Sequence, residues 1–282
     1  MMKYETITHG ELSYSPCRYG SSRILFRGPR RRLDRPYIAC IGGTETYGKF
    51  IQKPFPDLVE KVMRQPCLNL GCVNGGIDAF VNDTTIMDIC NNADMTVVQV
   101  MGANYLSNRF YSVHPRRNDR FLKASTVMQA IYYDVDFSEF SFTRHMLGAL
   151  HEKSTERFDT VVNELQEAWV ARMRTMLNLI GPRSILLWFS DEKLDDTPWA
   201  ERPNQLQSDP LFITRSMVEK LRPLVRDIVV VNPSAKALAG GTDGMYFSEN
   251  QSGIASEMLG VACHAEASAA LVPALREQIY AP

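Results

Sequence analysis

The stretch YIACIGGTETYG, residues 37–48, decides how this chain is read. It joins a continuous apolar run, Tyr37 to Ile41, to a turn of two glycines, two threonines and a closing glycine. A strand apolar on both faces is what a parallel sheet covered by helices demands. The turn that leaves such a strand stands at the carboxyl edge of the sheet, where open α/β sheets hold their ligands. GGTETYG therefore either only reverses the chain or presents Thr44 to a small molecule.

Outward from that strand the alternation repeats. PFPDLVEKVMRQ reads as a helix with Leu58, Val59 and Val62 on one side, PCLNLGCV as a second core strand, and IDAFVNDTTIMDICNNA as a helix weakened by Thr84 and Thr85. MTVVQVMGAN is the third strand. Residues 105–150 break the rhythm with polar, aromatic and basic text, and read as an insertion whose end, VDFSEFSFTRHMLGAL, passes from extended to helical. Phe158, Val162, Leu165, Trp169, Met173, Met176 and Ile180 then recur at three- and four-residue steps, a long helix capped by Ser154 or Thr155 and ended by Gly181-Pro182. SILLWFS and DIVVVNP are the fourth and fifth strands, separated by a polar loop (191–210) and the helix ITRSMVEKLRPLV. A terminal helix runs through AEASAALVPALREQI, where Pro273 threatens a distortion. The expected fold is α/β, three layers α/β/α around a five-stranded parallel sheet of flavodoxin-like type. A single domain spans 1–282, with an N-terminal β extension (1–36, including the strand SRILFRG) and the 105–150 insertion.

Composition narrows the function classes. The 282 residues are 45% hydrophobic with a net charge of −1, so no global field favours nucleic acid or membrane. No apolar run reaches the ~18 residues of a membrane span. The N-terminal text lacks the apolar core of a signal peptide, and the six cysteines include no C-x-x-C pair. A cytoplasmic location with reduced thiols is expected. No His/Cys cluster and no phosphate-binding glycine loop is present, so no metal and no cofactor are expected. RILFRGPRRRLDR (23–35) carries six arginines, which read as a solvated turn or as a patch for an anion. His9, His145 and His151 read as surface or structural residues.

Three strand ends carry residues suited to chemistry: Gly42-Gly43-Thr44, Asn69-Leu70-Gly71 followed by Asn74-Gly75-Gly76, and Gly102-Ala103-Asn104. Glycines admit a ligand close to backbone N–H groups, and Asn104 adds an amide donor. In this order the blocks resemble the SGNH (GDSL-type) hydrolase superfamily. GGTETYG matches its G-D-S-x-T-x-G at Gly42, Thr46 and Gly48, with Gly43 and Thr44 in place of the aspartate and the serine. NLGCVNGG resembles the second block, with Gly75 equivalent to the oxyanion glycine and a spacing one residue longer. GAN resembles G-x-N-D, with Tyr105 where the aspartate stands. For the closing D-x-x-H, one register aligns Asp243 but puts Tyr246 at the histidine. The other uses His264 with Val261 at the aspartate, and is favoured because a helix follows. GGTETYGKF and NYLSNRFYSVHPRRNDRF also resemble an uncharacterised bacterial family, which brings no activity.

The SGNH resemblance implies an esterase or O-acyltransferase acting on an anionic or sugar-linked ester. Thr44 would be the nucleophile, His264 the base, and Gly75 and Asn104 the oxyanion donors. Glu45, Asp78, Asp243 and Glu257 are the carboxylates available to orient the base. Substrate contacts are expected from Thr46 and from His114, Arg116 and Arg117, whose guanidinium forks suit anions. The alternative is a catalytically inactive protein of the same scaffold binding an anionic or carbohydrate ligand. The expected partner is a small molecule, with neither nucleic acid nor membrane involved and self-association left open.

Overall fold

The computed structural model describes residues 12–202 and 205–280. The chain enters through an N-terminal segment in which Cys17 and Phe26 form one isolated antiparallel bridge. Among the described residues the expected β extension is reduced to that bridge, and SRILFRG does not form a full strand. His9 lies outside the described residues. What this segment contributes instead is Arg27, only 5% exposed. Its guanidinium donates to the carbonyls of Tyr47 (3.2 Å), Gly48 (2.6 Å), Ile51 (2.7 Å) and Gln52 (2.8 Å). Of its basic neighbours, Arg31 pairs with Glu60 and Arg32 with Asp34.

The layered domain begins with β1 (Ile38–Gly42), α1 (Thr44–Tyr47), α2 (Phe55–Met63) and β2 (Cys67–Gly71). The helical text after β2 splits into α3 (Ile77–Val81) and α4 (Thr84–Asn92). The break falls where the Asp83 side chain accepts the Ile86 N–H as an N-cap, a local bond that competes with helix continuation. Then follows β3 (Met95–Gln99). The insertion holds an antiparallel hairpin, β4 (Tyr111–His114) and β5 (Arg117–Ala124), then α5 (Thr126–Ile131) and α6 (Thr143–Lys153). The long helix is α7 (Thr155–Ile180), with Ser154 as its N-cap, as expected. β6 (Ser184–Phe189), the short α8 (Arg215–Glu219), β7 (Asp227–Val231), α9 (Ala235–Ala239), α10 (Ser252–Ser256) and α11 (Val261–Tyr280) complete it, and α11 continues through Pro273.

The five core strands are parallel, in the order β2-β1-β3-β6-β7. Counted as core strands this is 2-1-3-4-5, a doubly wound sheet whose strand order reverses between β1 and β3. The continuous apolar runs follow from alternation between two cores. Ile38, Cys40, Val97, Ile185 and Leu187 meet α2 and α11 on one face. Ala39, Ile41, Val98, Leu186 and Trp188 meet the helices of the α7 layer on the other. No single helix among the described residues is long and apolar enough to cross a membrane.

Candidate functional site

At the carboxyl ends of β1, β3 and β6 lies a cleft of about 680 Å³, the switch point of this topology. Gly43, Thr44 and Glu45 line it after β1, Gly102 and Tyr105 after β3, and Ser190 and Asp191 after β6. Asp209 and Arg144 close one side, and Glu257, Met258 and Leu259 another.

The turn that presents Thr44 is built on Gln99, the last residue of β3 and the most polar one in it. Its Oε1 accepts the N–H of Gly43 (3.1 Å), the N–H of Thr46 (3.1 Å) and the Thr46 hydroxyl (2.6 Å). Its Nε2 donates to Glu45 Oε2 at 2.9 Å. One buried amide thus satisfies donors of the first helical turn that have no partner within the helix. On the other side, α1 lies directly on β2. A Cβ at Gly71 would stand 2.1 Å from Tyr47 N, so only glycine fits.

The structure distributes the expected site residues unevenly. Thr44 and Gly75 line the cleft. The Thr44 hydroxyl accepts the Asn74 N–H at 3.0 Å and faces the Asn74 side-chain oxygen at 3.5 Å. The Gly75 N–H, expected to serve an oxyanion, donates instead to the Cys72 carbonyl at 2.9 Å, because residues 72–75 close a tight turn. Asn104 is fully buried behind the cleft, with neither end of its amide hydrogen-bonded. Thr46 is also fully buried, so its expected substrate contact is replaced by the bond to Gln99. His114, Arg116 and Arg117 form the tip of the β4–β5 hairpin, where His114 Nδ1 accepts both arginine N–H groups (3.2 Å each). They do not line the cleft.

His264 has a different task from the one expected. It lies 1% exposed between Phe55 and Phe189, and its Nδ1 accepts the Phe55 N–H at 3.2 Å, capping α2. It does not line the cleft, and the hydrogen bonds of Thr44 go to Asn74. Burial, aided by the nearby Arg27 charge, drives its pKa down to about 3. Above pH ~6.5 the ring is neutral in folded and unfolded chains alike. As the pH falls below that value, the unfolded chain takes up a proton that the folded chain refuses until about pH 3, so folding weakens across this window. Between pH 7 and pH 5 the contribution is a loss of about 2 kcal/mol. His264→Gln keeps an acceptor without the titration, and its urea midpoint should fall less steeply with acid. Identical slopes for variant and parent would refute the assignment.

Of the four carboxylates available to a base, Asp78 is tied to Arg172 and to the Ser107 N–H, and Asp243 is exposed. Glu45 and Glu257 line the cleft. Glu45 is half-buried by surface, but its carboxyl sits against the cleft wall. Desolvation there, then the neighbouring Asp209 and more weakly Asp191, push it up to about 7, against the bond from Gln99. Desolvation raises Asp209 as well, opposed by Arg144 at 3.3 Å, although its side chain keeps 56% exposure. Residues 191–210 read as a polar loop and Arg144 falls in the insertion, so nothing in the sequence marked Asp209 or Arg144 as cleft residues. Gln99 left a trace, as the one strongly polar residue in MTVVQV.

No curated protein matches this chain. Among solved structures, the lipase Lip_vut3 from a goat rumen metagenome aligns over 85% of this chain and 97% of its own, at 12% identity and a TM-score of 0.38. That likeness is too distant to bear on activity. Residues 2–279 match the family described as "Domain of unknown function (DUF6473)". The chain belongs to that family over nearly its whole length.

Proposed function

We propose that the protein binds a small polar molecule in the cleft at the β1/β3 switch point, on a hydrolase-like scaffold that does not work through a Thr44–His264 pair. The observation carrying this reading is the separate commitment of the two groups, Thr44 to Asn74 and His264 to the start of α2. A hydroxyl attacks only when a base removes its proton, and an imidazole whose acceptor nitrogen holds another N–H cannot do so from that atom. The cleft is large enough for a metabolite-sized ligand. A thermal-shift panel of sugars, polyols, amines and carboxylates should contain a compound that raises Tm by about 5 °C or more at 100-fold excess over Kd. Blocking the cleft with Gly43→Trp should abolish the rise. Aryl-ester turnover that disappears in Thr44→Ala would overturn the reading.

One observation favours a second reading, in which an ester is hydrolysed with a carboxylate base. Glu45 directly follows Thr44, lines the same cleft and titrates at about 7 among Asp209, Asp191 and Gln99. This reading requires Thr44-dependent turnover that rises with pH through about 7 and is lost in Glu45→Gln.

A further inference from the structure

The chain leaves α1 through Gly48, Lys49 and Phe50, and this short turn is held more firmly than a plain connection needs. Phe50 stands at φ 67°, a left-handed conformation that costs an aromatic residue free energy. Backbone of that kind persists only where its surroundings over-determine it, and it gathers at functional sites. Here the Tyr14 hydroxyl accepts the Phe50 N–H at 2.9 Å, and the Phe50 carbonyl accepts the Tyr246 N–H at 2.9 Å. Phe247 meets the Phe50 ring edge-on, and the buried Arg27 gathers carbonyls on both sides of the turn, from Tyr47 to Gln52. The residue that this frame presents is Lys49.

Lys49 lines the cleft, and its N–H reaches the Thr44 carbonyl at 3.5 Å, so it belongs to the turn that carries Thr44 and Glu45. It is half-buried, whereas every other lysine among the described residues is exposed. Among the described residues its Nζ has one partner, the face of the Phe50 ring at 4.8 Å from the centroid. Burial lowers its pKa, and no neighbouring charge opposes that shift. Desolvation favours the neutral amine, and the neutral amine is the nucleophile.

We infer that Lys49 is a nucleophile toward an aldehyde or ketone, so that the ligand of this cleft carries a carbonyl group held as an imine on Nζ. This rests on the proposal that the cleft is the binding site. The Nζ lone pair attacks the carbonyl carbon, the nitrogen gives up a proton and the carbonyl oxygen takes one, giving a carbinolamine. Protonation of its hydroxyl releases water as the C=N bond forms, leaving a protonated imine. Glu45, in the same cleft and titrating at about 7, is the group suited to move those protons. A carboxylate ligand would reach Lys49 only by entering a cleft that Glu45, Asp191, Asp209 and Glu257 also line.

The test is reductive alkylation of the full chain with propanal and cyanoborohydride, read lysine by lysine in peptide mass spectra. Lys49 should be N-propylated about tenfold faster than Lys53, which is exposed and outside the cleft. The Lys49 rate should saturate with propanal, because the aldehyde is held before it reacts, while the Lys53 rate rises linearly. Gly43→Trp should remove the excess rate at Lys49 and leave Lys53 unchanged. Saturation is read on the unsubstituted chain, and so decides the matter even if that variant does not fold. Labelling of Lys49 at the Lys53 rate, or a Lys49 rate that stays linear in propanal, overturns the inference. So does full protection of Lys49 by propionate, which would assign the amine to a carboxylate. If any of these results stands while a compound of the thermal-shift panel binds the cleft, the cleft proposal survives and only the inference falls. If no panel compound binds and Lys49 reacts like Lys53, both fall.

Discussion

Gln99→Leu should destabilise the chain by about 4 kcal/mol, measured as the loss in unfolding free energy by urea titration. The side chain is only 4% exposed, and leucine fills its volume, so the change isolates hydrogen bonding from cavity formation. Three donors lose their acceptor at once: the N–H groups of Gly43 and Thr46, and the Thr46 hydroxyl. Each buried orphan costs about 1–3 kcal/mol, with some relief wherever water can enter from the cleft. Glu45 loses its donor as well, so its carboxyl should titrate still higher in the variant. Gln99→Glu separates the two functions. It keeps the acceptor for α1 but sets a second carboxylate against Glu45, and should recover part of the stability below pH 5 and little at pH 8. A loss under 1 kcal/mol for the leucine variant would mean that the turn does not depend on this amide.

Gly71→Ala should have a comparable effect for a different reason. The added methyl would lie 2.1 Å from Tyr47 N, 2.6 Å from Tyr47 Cα and 2.7 Å from Thr46 C, all main-chain atoms that no rotamer change can move aside. Either the end of β2 or the whole of α1 must shift. Overpacking of this kind costs about 3 kcal/mol. Because α1 carries Thr44 and Glu45 into the cleft, ligand-induced stabilisation should be lost along with it. Gly148→Ala is the matched control. It lies within α6, where a Cβ meets nothing within 4 Å, and should stabilise the chain by about 0.5–1 kcal/mol. If both substitutions leave Tm unchanged, the close approach of α1 to β2 is not a constraint.

The architecture was legible because two periodicities dominate the text. All five core strands stand where continuous apolar runs place them, and the seven-residue stripe from Phe158 to Ile180 is the buried face of α7. The insertion was not legible, since its hairpin is held by a polar tip: Asn118 Oδ1 accepts the N–H groups of Gly76 and Ala79, and His114 Nδ1 accepts those of Arg116 and Arg117. Such side-chain-to-backbone bonds leave no periodic trace. At the site, the strand ends pointed to Thr44 and the cleft but not to the partners of each group. A histidine before a terminal helix reads the same whether it faces a cleft or caps a helix more than two hundred residues away. Only the packing of α11 against α2 separates the two.

That pairing has a consequence for how the protein is made. Phe55, Val59 and Met63 of α2 share an apolar layer with Leu271, Val272 and Leu275 of α11, and the bond from Phe55 to His264 bridges 209 positions of sequence. Translation delivers α2 some two hundred residues before α11. Until residues 261–280 clear the ribosome, the part of that apolar layer that α11 covers stays wet, and the nascent chain is exposed to aggregation for as long as that interval lasts.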